Sequence, residues 1–192
     1  MKKLIALMLC AALMLCGTAF AETAEPAAAQ KEYLGTLNVN GAFEIKCKIP
    51  EGYTVNIIDS TNTMITAVVS SQDKNKPTII TNVAFSDMYT VDGKALKMND
   101  LSEEELAEIQ ATFMDQMDDV TFEYTESAYG TKLMIVRGKI NDVSVVDFYS
   151  IYESYEIDCV VTFEPDSEVT TLSEEQVAMM LDFFSEMDFN KM

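Results

Sequence analysis

The chain has 192 residues, 32 acidic against 13 basic, a formal net charge of −19, and neither histidine nor tryptophan. An acidic surface of this size repels nucleic acid and anionic lipid. The lack of histidine excludes Ser-His-Asp and Cys-His catalysis, His-ligated zinc and histidine proton shuttles. Seven scattered glycines form no phosphate-cradling loop and no dinucleotide fingerprint, and there is no CxxC.

Met1-Lys2-Lys3 is a short basic start, Leu4 to Leu15 carries no charge, and Gly17 to Ala21 ends in Ala-Phe-Ala before Glu22. This is the layout of a secretory signal peptide over residues 1–21, with cleavage after Ala21. Its apolar run is too short to span a bilayer, which takes about 20 residues. No later segment is long and apolar enough to try, so no transmembrane segment is expected in the mature chain. Leu15 precedes Cys16 and Leu9 precedes Cys10. A lipoprotein peptidase wants a small residue there, so a lipid anchor is not expected. Losing Lys2 and Lys3 with the signal takes the formal charge from −19 to −21. The expected location is secreted or extracytoplasmic, in a periplasm or at a cell surface. Residues 22–32, ETAEPAAAQKE, lack apolar periodicity and read as a flexible tether. Residues 33–192 then suffice for a single globular domain with a real core.

Phe43, Ile45, Cys47 and Ile49 fall at period two with Glu44, Lys46 and Lys48 between them, which predicts a half-buried strand. Pro50 ends it and Glu51-Gly52 turns the chain. Tyr53, Val55 and Ile57 predict a second strand. Met64 to Val69 and Thr78 to Phe85 predict two more, joined by the polar run Gln72 to Pro77. Asp92-Gly93 marks a tight turn.

The period then changes. Leu106, Ile109, Phe113 and Met117 share one helical face. Ser102 with Glu105 three residues on predicts a capping box, and Leu101 can staple onto Leu106. Leu172, Ser173, Gln176 and Val177 repeat the device before a second helix through Val177, Met180, Leu181 and Phe184. Between the helices, strands are predicted over Val120–Tyr124, Lys132–Ile140, Val143–Tyr152 and Tyr155–Phe163, with Asn141-Asp142 as a turn. Leu133 to Val136 are all apolar, as are Val143, Val145, Val146 and Phe148. Strands apolar on both faces are central and covered on both sides. The fold class expected is α+β: a mostly antiparallel sheet with two main helices packed on it, in the order strands, helix, strands, helix.

The opening Phe43, Ile45, Ile49, Pro50, Gly52, Tyr53 resembles the start of PsbP-like and DcrB-like domains. The closing stretch Val177 to Phe189, VAMMLDFFSEMDF, is similar in character to theirs, although Tyr53 stands where that family usually has tryptophan. The resemblance implies a small exported or lumenal α/β sandwich doing binding or accessory work more than catalysis. Fold alone does not settle function.

The remaining chemistry is sparse. Carboxylates alone can run glycoside hydrolysis, but such sites also want sugar-stacking aromatics. Asp115, Asp118 and Asp119 at the end of the first helix are the best local cluster for calcium, without an EF-hand loop. Negative charge at a helix C-terminus calls for a compensating lysine or cation, and a solvated helix end is the simpler reading. Tyr152 and Tyr155 flank Glu153-Ser154 as a cross-strand pair, and at a hairpin tip they are a candidate partner contact. The mature methionines read as core fillers. Cys47 and Cys159 are the cysteines left after cleavage, each on the apolar side of a strand. They form either a disulfide, if neighbouring strands or facing layers bring them together, or two buried thiols. Catalytic use is disfavoured, because nothing nearby would lower a thiol pKa. No cofactor and no catalytic residue are indicated. The function expected is a non-enzymatic exported binding or accessory domain with an unknown protein or small-ligand partner. The alternative is a small-ligand or cation (calcium) carrier.

Overall fold

The computed structural model describes residues 31–38, 42–127, 129–185 and 187–191. The expected signal peptide, residues 1–21, and residues 22–30 of the expected tether lie outside the described residues.

The fold is α+β, with a large antiparallel sheet between two packed layers. The seven-stranded sheet runs β3 (Tyr53–Ser60), β4 (Met64–Ser71), β5 (Thr78–Phe85), β11 (Tyr155–Thr162), β10 (Val143–Tyr152), β9 (Lys132–Ile140), β8 (Asp118–Glu126). A second sheet of three strands runs β1 (Lys31–Asn38), β2 (Ala42–Lys48), β12 (Asp188–Lys191). Thr90–Val91 (β6) and Lys94–Ala95 (β7) make a small hairpin on Asp92 and Gly93, both at positive φ. β1 corrects the domain boundary, since Lys31 and Glu32 belong to a strand and not to a tether.

Each face of the large sheet carries one helix. Helix α1 (Glu103–Met114) lies over one face, where Ile109 and Phe113 join Met134, Val136, Val145, Tyr149 and Val160 in a core. Helix α2 (Glu174–Ser185) and the three-stranded sheet cover the other face. There Val177, Met180, Phe183 and Phe184 meet Leu133, Ile135, Val146, Phe148, Ile157 and Val161. Two covered faces explain why β11 is buried along its whole length.

Both helix entries form as the local chemistry demands. The Ser102 hydroxyl accepts from the Glu105 N–H while the Glu105 carboxylate accepts from the Ser102 N–H at 2.8 Å. Ser173 and Gln176 make the same reciprocal pair, with the Ser173 N–H donating to Gln176 Oε1 at 2.8 Å. Asp115 closes α1, so Met117 lies beyond the helix, although it is still buried against the same core. Gly138 of β9 lies against it: a Cβ there would stand 3.1 Å from Met117 Cβ and from the Asp118 carbonyl.

Candidate functional site

The two central strands meet in a hairpin whose turn residues, Glu153 and Ser154, both have positive φ. That is the backbone a two-residue turn needs to match strand twist. The turn fixes the register. Tyr152 pairs with Tyr155, and four residues back along β10 Phe148 pairs with Cys159. On the α1 side of the sheet this leaves Asp147 and Tyr149 on β10 beside Glu156 and Asp158 on β11. Tyr149 stands opposite Asp158, Asp158 opposite Asn82 of β5, and Asn82 opposite Thr66 of β4. All of these residues are buried.

The polar groups divide into two neighbouring sets. In the first, Glu156 Oε1 accepts from the Tyr149 hydroxyl at 2.8 Å and from the Tyr89 hydroxyl at 3.1 Å. Tyr89 is held there by Ser154, whose hydroxyl donates to the Tyr89 carbonyl at 2.6 Å and lies 2.8 Å from the Thr90 hydroxyl. The Ser154 backbone also bonds Leu96 and Ser86. Phe113 of α1 meets the Tyr149 ring edge-on at 5.8 Å between centroids. Burial pushes the Glu156 carboxyl above its usual range, and the two phenols pull it part of the way back. The phenols are themselves pushed up, first by burial and then by the Glu156 charge.

In the second set, Thr66 donates to Asn82 Oδ1 at 3.0 Å, and the Asn82 amide faces Asp158. The Asn82 Nδ2, however, closes no hydrogen bond of ordinary length and angle. Asp147 is fully buried, and neither of its oxygens meets a donor. Burial drives the carboxyls of Asp147 and Asp158 upward, and their mutual contact raises Asp147 further. Among the described residues neither acid, nor Glu156, takes part in an ion pair.

A pocket of about 300 Å³ opens beside the first set, lined by Met88, Tyr89, Leu101, Glu105 and Ile109. It lies between the Tyr89 turn and the first half of α1. Its walls are mostly apolar, with one phenol and one carboxylate.

The residues singled out from sequence fall elsewhere. Asp115 is the C-cap of α1, and Asp119 is paired with Lys139 Nζ at 3.1 Å, so lysine supplies the compensating charge. Among the described residues no group of three or more His, Cys, Asp or Glu is placed to hold a metal ion. Tyr155 is a correction. It is 1% exposed and packs edge-on against Phe85, because β11 is central, so it has no surface to offer a partner. Tyr152 is half-buried among Tyr129 and Phe189, with Lys97 Nζ 4.9 Å above its ring. Cys47 and Cys159 are both buried thiols of one core cluster, on the facing layers of the sandwich, and are not joined in a disulfide. The Cys159 thiol lies 3.3 Å from the Thr81 hydroxyl, and burial pushes its pKa well up. The sequence reading does not single out the acids at 147, 156 and 158. Their signal is a charged residue at three positions of strands otherwise apolar on both faces.

No helix among the described residues is long and apolar enough to cross a membrane. No protein family, curated protein or solved structure matches the chain.

Proposed function

We propose that the chain is an extracytoplasmic, non-enzymatic binding domain, and that its ligand is a small organic cation seated beside Tyr89. The pocket carries this reading. Small-ligand sites are apolar concavities with a few placed polar groups, and about 300 Å³ is the lower end of their range. Here the apolar walls are Met88, Leu101 and Ile109, and the polar groups are the Tyr89 phenol and the Glu105 carboxylate. Aromatic faces and carboxylates both attract ammonium groups, and a chain of net charge −19 draws cations toward any cleft. The signal-like start at residues 1–21 supports export. The resemblance to PsbP-like and DcrB-like domains belongs to the same proposal, since it too implies binding or accessory work. The hairpin tip offers less to a protein partner, because Tyr155 is in the core.

The test is thermal unfolding of the chain from Glu22 with tetramethylammonium, butylammonium or calcium at matched ionic strength. The alkylammonium ions should raise Tm, as any ligand of the native state does. Glu105→Gln should abolish the rise while leaving the helix entry intact, because glutamine also serves in a capping box. A rise with calcium alone would replace the organic cation with a metal ion. No rise with any of the three would turn the assignment to a protein partner.

A further inference from the structure

We propose that Asp147 and Asp158 form a proton-binding site at the centre of the large sheet, two buried carboxyls sharing one proton. The argument is geometric. The two acids sit on adjacent central strands and the same face, diagonal to each other across the β10–β11 ladder, where Asp147 opposes Val160 and Tyr149 opposes Asp158. With both ionised, neither Asp147 oxygen nor Asp158 Oδ1 has a donor, and like charges press together in a medium that solvates neither. A single proton on Asp147 resolves this. It converts one Asp147 oxygen into a donor toward Asp158 and removes one of the two charges. The remaining charge on Asp158 faces the unfilled Asn82 amide. The upward displacement of both carboxyls agrees with this arrangement.

Among the described residues no side chain facing the pair forms an ion pair with it. β11 contributes Glu156, whose charge reaches Asp158, and β10 contributes Tyr149, opposite Asp158 in the ladder. β5 and β4 bring the neutral Asn82 and Thr66, and β9 brings Val136 opposite Asp147. Of the titratable neighbours, Glu156 opposes loss of the proton by its charge, and the Cys159 thiol, pushed well up by burial, brings no positive charge. Both folded carboxyls stand above their unfolded value of about 3.9. Their contribution to stability is therefore complete below that value and is lost as the pH rises through the folded values. The protein should tighten in mild acid and loosen in mild alkali at the contact between α1 and β10–β11.

The experiment is ¹³C NMR of the chain labelled at the aspartate carboxyl carbons, titrated from about pH 3 to about pH 9. Asp147→Asn and Asp158→Asn assign the signals. Thermal unfolding of each form is followed over the same range. Two carboxyls should titrate together and outside the ordinary aspartate range, with one proton retained per molecule at neutral pH. Asp147→Asn should abolish that retained proton and flatten the fall of Tm with pH. The proposal is overturned if every aspartate signal of the wild type titrates in the ordinary range. It is also overturned if Asp147→Asn lowers Tm equally at all pH values. Should both variants fail to fold, the wild-type titration alone decides.

Discussion

Replacing Tyr149 by phenylalanine removes one oxygen and little else. The ring can keep its edge-on contact with Phe113 at 5.8 Å, while Glu156 loses its shorter hydrogen bond, at 2.8 Å, and keeps only Tyr89 at 3.1 Å. A hydrogen bond to a charged group contributes about 1.5–3 kcal/mol and one between neutral groups about 1 kcal/mol. Glu156 is fully buried, so solvent cannot replace the lost donor. The cost therefore depends on whether Glu156 is ionised. Its folded pKa is raised by burial and lowered by Tyr149 and Tyr89. Removing Tyr149 raises it further, which steepens the loss of stability as pH climbs. Urea unfolding with linear extrapolation at about pH 5 and about pH 8 should give a loss near 1 kcal/mol in acid and about 1.5–3 kcal/mol in alkali. Repeating the change in a Glu156→Gln background should remove the pH dependence, leaving a constant coupling. A loss below about 0.5 kcal/mol at both pH values, or a larger loss in acid, would refute the claim that this phenol stabilises a buried carboxylate.

Two further changes test the other layer. Phe184→Ala empties a site in α2 that is 0% exposed and packs at 6.0 Å from the rings of Phe148 and Tyr129. It should cost about 3–5 kcal/mol, and a loss under about 1 kcal/mol would mean that α2 does not seal that face. Cys47 and Cys159, both at 0% exposure, should resist a thiol reagent in the native state and react fully in denaturant. Fast native reaction would contradict their burial, and no reaction in denaturant would reveal a disulfide.

The elements that sequence makes legible are those with local causes. Lys132–Ile140 and Val143–Tyr152 form with the expected bounds because a long apolar run meets a turn, Asn141-Asp142, that adopts positive φ at both residues. Both capping boxes form because their bonds join residues three apart. β1 and β12 have no such cause. β12 spans only Asp188–Lys191, too short to show a period, and it pairs with β2 from the far end of the chain. β1 contains Gly35 and is defined by its partner β2, not by a propensity of its own. Met117 belongs to the predicted apolar stripe, but Asp115 ends the helix before it, and a tight turn, in which the Met117 N–H donates to the Phe113 carbonyl at 3.0 Å, delivers the same side chain to the same core.

The acid row shows where local reading stops. Asp147, Glu156 and Asp158 alternate with apolar neighbours, which on a half-buried strand would put them in water. The hairpin turn alone is enough to align them, since counting back from Tyr152 and Tyr155 sets Tyr149 against Asp158 and Asp147 one diagonal step away. Their proximity was thus readable from a turn and a period of two. Their burial was not. It follows from strand order, because β11 lies between β5 and β10 and the segment around Tyr89 and α1 closes over that face. Strand order is a property of pairings between Thr78–Phe85 and Tyr155–Thr162, far apart in the chain, and no local pattern encodes it. The same fact separates the two aromatic residues at the hairpin tip. Tyr152 and Tyr155 look equivalent from spacing, yet only Tyr155 lies on the strand that Phe85 flanks, and so only Tyr155 is fully enclosed. Buried charge in the middle of a sheet needs compensation, and since the described residues bring no cation to these three acids, protons and phenols are the means the fold has left.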